Sequence, residues 1–271
     1  MRGGRGGGDP GRNEVQAALA RAREFVARAG SPLARLRADV LAGEAPAGRV
    51  AALVESRQLA SGAVGPLEEE GEARVATTAR ALVLLDELGC LQHPCAERAA
   101  IWLASTQDRD GSFSPGEGAS ADARLLFTAA LAARLARTGR VRQRVVDAAG
   151  EHVAAGFSVD RVQRGDWEAI AALFPFFADH PGELADAALQ WCGRELERGY
   201  RTGRFDAARA ARVFVLCQAR ALPGAKIDAR ELVPALLASQ AGDGGFGAPD
   251  LPGVERLERT LDAMLALARL G

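Results

Sequence analysis

The sequence predicts a single all-α domain built from about six helical hairpins. The chain has 271 residues, of which 48% are hydrophobic and 5% aromatic, a length that buries a substantial core in one domain. From Asn13 onward, apolar residues recur at spacings of three and four among Ala, Leu, Arg and Glu, which is the pattern of helices. Breaks fall at Gly and Pro clusters. No segment shows the two-residue alternation that a half-buried strand requires.

The breaks divide the chain into a tail and six predicted helical pairs. Residues 1–12 consist mainly of Gly and Arg, have no apolar content, and are predicted to form a flexible tail. Residues 13–271 form the predicted domain. Its helical pairs are 14–29 with 32–42, 47–60 with 71–89, 93–106 with 119–137, 141–154 with 164–178, 183–198 with 205–220, and 228–239 with 254–270. Capping residues or an early Pro mark several starts, as at Ser31-Pro32 and Asp228. Six hairpins closed into a ring would form an (α/α)6 toroid, with the second helix of each pair lining its centre.

Two seven-residue segments, QDRDGSF at 107–113 and QAGDGGF at 240–246, repeat each other between helical runs. In such a turn Gly permits backbone angles that other residues resist, Asp bonds its own backbone, and the Gln amide bridges two backbone groups. Shorter copies that lack the Gln are predicted at 65–67, 155–157 and 203–205. The last residues of the five copies are 46, 44, 48 and 41 positions apart, which is the length of a helical hairpin with its loops.

The two complete segments resemble the repeat of squalene and other terpenoid cyclases and of protein prenyltransferase β subunits. In that repeat a helix ends in Gln, and an acidic, Gly-containing turn leads to an aromatic residue. Phe113 and Phe246 are closer to the prenyltransferase version, because the cyclases usually have Trp there. The resemblance covers residues 47–271 and implies an α/α toroid that binds a hydrophobic, isoprenoid-type molecule in a central cavity.

The catalytic motifs that this resemblance would imply are absent. Terpenoid cyclases protonate their substrate with an Asp-x-Asp-Asp motif, and the nearest match, 108–110, is followed by Gly111. Prenyltransferase β subunits hold zinc with an Asp-x-Cys pair about nine residues after the turn, whereas Asp122 is followed by Arg124 where the Cys belongs. The segment CLQHPC at 90–95 lacks a fourth ligand for zinc. We therefore expect neither a metal nor another cofactor.

Polar residues at the starts of the second helices supply the candidate site. The candidate catalytic acids are Asp122, Asp166, Glu168 and Asp206, and the candidate substrate-binding residues are Arg124, Trp167, Arg209 and Arg212. Arginines bind diphosphate well, and burial beside an aromatic ring raises the pKa of an acid. The alternative is that acids in these positions only cap free N–H groups and complement the helix dipole.

The favoured function is binding of an isoprenoid-type molecule, with acid-initiated cyclisation or isomerisation if the chain is an enzyme. The alternative is a non-catalytic binding or scaffold protein on the same fold, which the missing motifs favour. A carbohydrate-active enzyme is disfavoured by the shortage of Trp and Tyr. The expected partner is a hydrophobic small molecule, and a protein partner or homo-oligomer is left open. The net charge of −1 argues against a nucleic-acid partner. The sequence has no run of about 18 apolar residues, so no membrane span is predicted. With no signal sequence and no disulfide-like Cys pattern, a cytoplasmic location is expected.

Overall fold

The computed structural model describes residues 10–68, 71–72, 74–164 and 166–271. Within these residues the chain is all-helical, with 13 helices and no strand, and it forms one compact unit. The helices are α1 (Pro10–Ala29), α2 (Pro32–Leu41), α3 (Gly48–Ser56), α4 (Val75–Glu87), α5 (Pro94–Ser105), α6 (Ala121–Thr138), α7 (Gln143–Gly156), α8 (Val159–Gln163), α9 (Trp167–Asp179), α10 (Ala185–Arg201), α11 (Ala207–Leu216), α12 (Ala229–Ser239) and α13 (Gly253–Leu270). The all-α prediction is confirmed.

Each of the twelve predicted helices is present, and the differences lie at short segments. The five-residue helix α8 was not predicted, because it is too short to show an apolar period. Helix α1 begins at Pro10, inside the predicted tail. Proline suits the first helical position, where the N–H that it lacks would have no helical partner. Residues 1–9 of the predicted tail lie outside the described residues.

Six helices, which we call the core helices, pack against one another in chain order: α2, α4, α6, α9, α11 and α13. Helix α6 contacts α4 and α9, α11 contacts α9 and α13, and α13 also contacts α2. An ion pair between Arg37 and Glu87 joins α2 to α4. The first helix of each pair lies against them, as α1 does against α2 and α13. Over the described residues, none of the helices combines the length and the apolar character that crossing a lipid bilayer requires.

The apolar core consists of one large cluster that is rich in phenylalanine and a small second cluster of Val50, Leu84 and Leu88. The largest fully buried side chains are five Phe of the large cluster: Phe113, Phe174, Phe176, Phe214 and Phe246. Three of the five lie on the core helices α9 and α11. The other two end the repeated turns, so each of those turns is anchored by a large apolar side chain.

The turn at 107–113 has a geometry that its residue types explain. The side-chain amide of Gln107 donates to the carbonyl of Gly111 at 3.0 Å and to the carbonyl of Val145 on α7 at 2.8 Å. Gly111 has a φ of +82°, and a Cβ there would lie 2.1 Å from the carbonyl oxygen of Ala148. Only glycine fits both conditions. The turn therefore fastens the end of α5 to the helix that begins the next pair.

The turn at 240–246 makes the same contacts and fastens the last pair to the first. The side-chain amide of Gln240 donates to the carbonyl of Gly244 at 3.0 Å and to the carbonyl of Ala18 at 2.9 Å. Ala18 lies on α1, so this contact joins helices near the two ends of the chain. Gly244 has a φ of +90°.

A third turn of the same kind lies at 58–64. From the sequence, this copy is predicted at 65–67 and without a Gln, so the predicted position is wrong. The side-chain amide of Gln58 donates to the carbonyls of Gly62 and of Cys95 on α5, both at 2.9 Å. Gly62 has a φ of +99°, and Val64 replaces the phenylalanine. In all three turns, a buried threonine hydroxyl of the following core helix accepts from the backbone N–H of the last residue. These threonines are Thr78, Thr128 and Thr260.

Candidate functional site

The four candidate acids lie at the N-terminal ends of core helices and are exposed. Asp206 caps α11 by accepting from the backbone N–H of Arg209 at 2.8 Å. Asp122 lies in the first turn of α6, 2.9 Å from a guanidinium nitrogen of Arg161. Asp166 and Glu168 open α9, and neither side chain has an ion-pair or hydrogen-bond partner among the described residues.

Three of the candidate substrate-binding residues are engaged near those same helix ends. The guanidinium of Arg124 donates to Asp108 at 2.7 Å, within the repeated turn. The guanidinium of Arg209 lies 5.8 Å from the centre of the Trp167 ring, and the indole N–H donates to the Arg209 carbonyl at 3.1 Å. These contacts hold neighbouring elements together.

The fourth, Arg212, belongs to a largely buried ion-pair network centred on the buried Glu87. Its guanidinium pairs with the carboxylates of Glu87 and Asp262, and Arg37 pairs with Glu87 at 3.3 Å. Although burial opposes ionisation, Arg212, Arg37 and Arg134 hold the pKa of Glu87 below its ordinary value. Burial raises the pKa of Asp262 to about 6 in spite of Arg212.

The other half of the network is centred on Asp86. Its carboxylate lies 3.2 Å from Arg137 and 3.8 Å from the 5%-exposed Arg134. Arg137 also pairs with Asp179 at 2.7 Å and donates to the Leu216 carbonyl at 2.6 Å. Burial lowers the pKa of Arg134.

The network connects all six core helices. Its four arginines and four carboxylates come from α2, α4, α6, α9, α11 and α13: Arg37, Asp86, Glu87, Arg134, Arg137, Asp179, Arg212 and Asp262. Because these charges neutralise one another, the network holds the helices together. Sequence reasoning identified only Arg212 among these residues, as a substrate-binding candidate.

Two adjoining cavities lie at the opposite ends of the core helices from the candidate acids. The larger, of about 1250 Å³, lies among α1, the ends of α2 and α13, and α12. The smaller, of about 560 Å³, lies among the ends of α4, α6, α11 and α13. Both are bordered by Glu87, Arg220, Arg269 and Leu270. None of the eight candidate residues lines either cavity.

The larger cavity combines an aliphatic wall with arginines. Its apolar lining is Val15, Leu19, Val40, Leu41, Leu88, Val233, Pro234, Leu237, Leu267 and Leu270. Arg12, Arg220 and Arg230 also line it, and none of their side chains has an ion-pair or hydrogen-bond partner among the described residues. Arg269 instead donates to the carbonyl of Glu87 at 2.7 Å. The cavity therefore offers a ligand both an aliphatic wall and polar, positively charged groups.

The CLQHPC segment forms a helix start. The imidazole Nδ1 of His93 accepts from the backbone N–H of Cys95 at 3.3 Å and lies 3.1 Å from its sulfur. Burial raises the pKa of the Cys95 thiol to about 11, so this sulfur is a poor nucleophile at neutral pH. Across the described residues, no group of three or more His, Cys, Asp or Glu side chains is arranged to hold a metal ion.

Comparison with known proteins assigns no role to these residues. No protein-family model matches the chain. No curated protein matches it at a significant level.

Proposed function

We propose that the core helices close into an α/α toroid and that the protein binds a hydrophobic, isoprenoid-type molecule at one end of it. Two observations support the ring. The core helices from α4 to α13 contact one another in order, α13 returns to α2, and the Arg37–Glu87 ion pair joins α2 to α4. The Gln240 amide also fastens the turn after α12 to the Ala18 carbonyl of α1, as the other glutamine turns fasten successive pairs.

The larger cavity is the observation that carries the binding proposal. Small-molecule sites are typically concave and mostly apolar, with a few polar groups and volumes of roughly 300 to 1000 Å³. At about 1250 Å³, the cavity is large enough for a long isoprenoid chain. Aliphatic side chains from α1, α2, α12 and α13 supply its apolar lining.

The geometry favours binding over acid-initiated chemistry. Such chemistry needs a protonated acid that faces the substrate, and the four candidate acids lie at the other ends of the core helices. Glu87 borders both cavities, but its carboxylate is held ionised by Arg212 and Arg37. Asp262, with a pKa of about 6, lines neither cavity.

A non-catalytic scaffold on the same fold is the second candidate function. It is favoured by the ion-pair network, which joins the core helices to one another through buried charges. A scaffold of this kind needs no ligand in the cavities.

Thermal-shift titration separates the two functions. The purified protein is titrated with farnesyl diphosphate, geranylgeranyl diphosphate, squalene and inorganic pyrophosphate. A ligand of the folded state stabilises it by about 2.7 kcal/mol at a hundredfold excess over Kd. We expect a saturable shift with an isoprenoid and none with pyrophosphate.

A pair of variants assigns the shift to the cavity. Val233→Trp fills the larger cavity from α12 and should abolish the shift. Leu184→Trp, at a position that is 43% exposed and outside both cavities, should leave it unchanged. Absence of any shift across the ligands would refute binding and favour the scaffold.

A further inference from the structure

The arginines around the larger cavity are not balanced by acids. Arg12, Arg220 and Arg230 line it, are exposed, and have no side-chain partner among the described residues. The acidic side chains in the lining are Glu14, which is exposed, and Glu87, which already pairs with Arg37 and Arg212. The cavity therefore presents an excess of positive charge beside its apolar wall.

Arg220 and Arg230 come from adjoining segments. The carbonyl of Arg220 accepts from the backbone N–H of Ala229 at 3.0 Å, next to Arg230 in the sequence. The Asp228 carboxylate forms no ion pair with the Arg230 guanidinium; it caps α12 by accepting from the backbone N–H groups of Arg230 and Glu231, at 2.9 and 3.1 Å. Arg220, on the segment before α12, and Arg230, in its first turn, therefore bring two guanidinium groups, unpaired among the described residues, to the same cavity, and arginines bind anionic groups with paired hydrogen bonds.

Aliphatic side chains lie on the same lining. Leu19 and Leu267 are buried at its base, and Val233 and Leu237 of α12 are partly buried along its side. Arg230 is three residues before Val233 and seven before Leu237, so these three residues share one face of α12. One helix face thus presents first a cation and then an aliphatic stripe.

We propose that the occupant of the larger cavity is an anionic amphiphile, whose acidic head binds Arg220 and Arg230 and whose aliphatic tail packs on α1, α12 and α13. The proposal rests on the proposed function, because it specifies the ligand class of the same cavity. A neutral hydrocarbon would fill the apolar wall and leave the arginines unpaired. A small anion would pair the arginines and leave the wall exposed to water.

The test compares ligands that share a farnesyl tail and differ in the head group, with inorganic phosphate as a head without a tail. Binding is measured by calorimetry with farnesyl monophosphate, farnesoic acid, farnesol and inorganic phosphate. The first two distinguish a phosphate head from a carboxylate head, farnesol keeps the tail without the charge, and phosphate keeps the charge without the tail. We expect at least one of the two anionic amphiphiles to bind at least about tenfold more tightly than farnesol, with an affinity that falls as salt is added.

Matched variants locate the head. Arg220→Gln and Arg230→Gln should each weaken binding of the preferred anionic amphiphile by about five- to tenfold and change farnesol binding by less than about twofold. Arg144→Gln, an exposed arginine of α7 outside both cavities, should change neither. All three substitutions are at exposed side chains, which are usually tolerated by the fold.

Four outcomes would overturn the proposal, and the last of them would also overturn the proposed function. Equal affinity for farnesol and the anionic amphiphiles, or equal weakening of both by the arginine variants, would exclude the charged head and leave hydrophobic binding standing. Inorganic phosphate binding as tightly as the amphiphiles would exclude the tail. No binding of any of the four compounds would overturn the proposed function itself.

Discussion

Arg212 tests whether the central network is structural. Its side chain is 13% exposed, and its guanidinium pairs with two carboxylates, whose side chains are 5% exposed in Glu87 and 13% exposed in Asp262. These attractions raise the pKa of Arg212 against the opposing effect of burial. Replacing it with methionine keeps most of the volume and removes the charge, which leaves the buried Glu87 and the partly buried Asp262 with less compensation.

The expected loss in the free energy of unfolding depends on which ion pairs remain in Arg212→Met. Removing one partner of a buried ion pair costs about 3 to 5 kcal/mol. In Arg212→Met, Glu87 keeps Arg37 at 3.3 Å, whereas Asp262 loses its only ion-pair partner among the described residues. We therefore expect a loss of about 3 kcal/mol in the free energy of unfolding at pH 7.5. The loss should be smaller at pH 5.5, where Asp262 can take up a proton.

Urea unfolding followed by circular dichroism at both pH values measures this loss. Arg144→Met, at an exposed arginine of α7 with no side-chain partner among the described residues, is the control and should change stability by less than about 0.5 kcal/mol. If Arg212 served mainly to bind substrate, its removal would leave the ligand-free protein nearly as stable as before. A loss below about 1 kcal/mol at pH 7.5 would refute the structural role that we assign to it.

Three further substitutions test the turns and the network. Gly111→Ala should lower the free energy of unfolding by about 3 kcal/mol or more, because its φ is +82° and the new Cβ would lie 2.1 Å from a carbonyl oxygen. The loss is measured by thermal unfolding, and the control is Gly116→Ala, at a glycine with open space around it. Gln58→Ala should cost about 1 to 3 kcal/mol in the same assay, since two carbonyls lose their donor, and an unchanged midpoint would contradict the third turn. Asp262→Asn should remove a decline in stability between pH 4 and 6. Burial raises the pKa of this acid to about 6, so between pH 4 and 6 the folded chain keeps a proton that the unfolded chain releases. Relative to the variant, the wild type should therefore lose about 1 to 3 kcal/mol in the free energy of unfolding as the pH rises through that range.

Helix positions could be predicted because their signals are local. Ser120 caps α6 through the backbone N–H of Ala123, and Gly139 ends it in the left-handed conformation. Such residues act within one turn of the helix and can be recognised without knowledge of the fold. The same locality explains the missed turn at 58–64, which keeps Gln58 and Gly62 but has neither the Asp nor the Phe of the complete copies.

The site could not be predicted in the same way, because its determinants are tertiary. On α13, Glu258 is exposed, whereas Asp262, four residues later on the same face, is partly buried and pairs with Arg212. Both are ordinary helix carboxylates in the sequence, and Arg212 is 50 positions away from Asp262. Whether a charge is paired or free therefore depends on which helices meet.

The dependence of charge pairing on helix packing also explains why the site residues predicted from the sequence lie outside the cavities. Acids concentrate at helix N-termini in any helical protein, since they cap N–H groups and complement the dipole. A search for acids at helix starts therefore finds residues such as Asp206, whose carboxylate is used as a cap. A binding site is identified by the opposite property, a charge left without a partner beside apolar surface. Arg220 and Arg230 have that property only because α1, α12 and α13 bring an aliphatic wall to them.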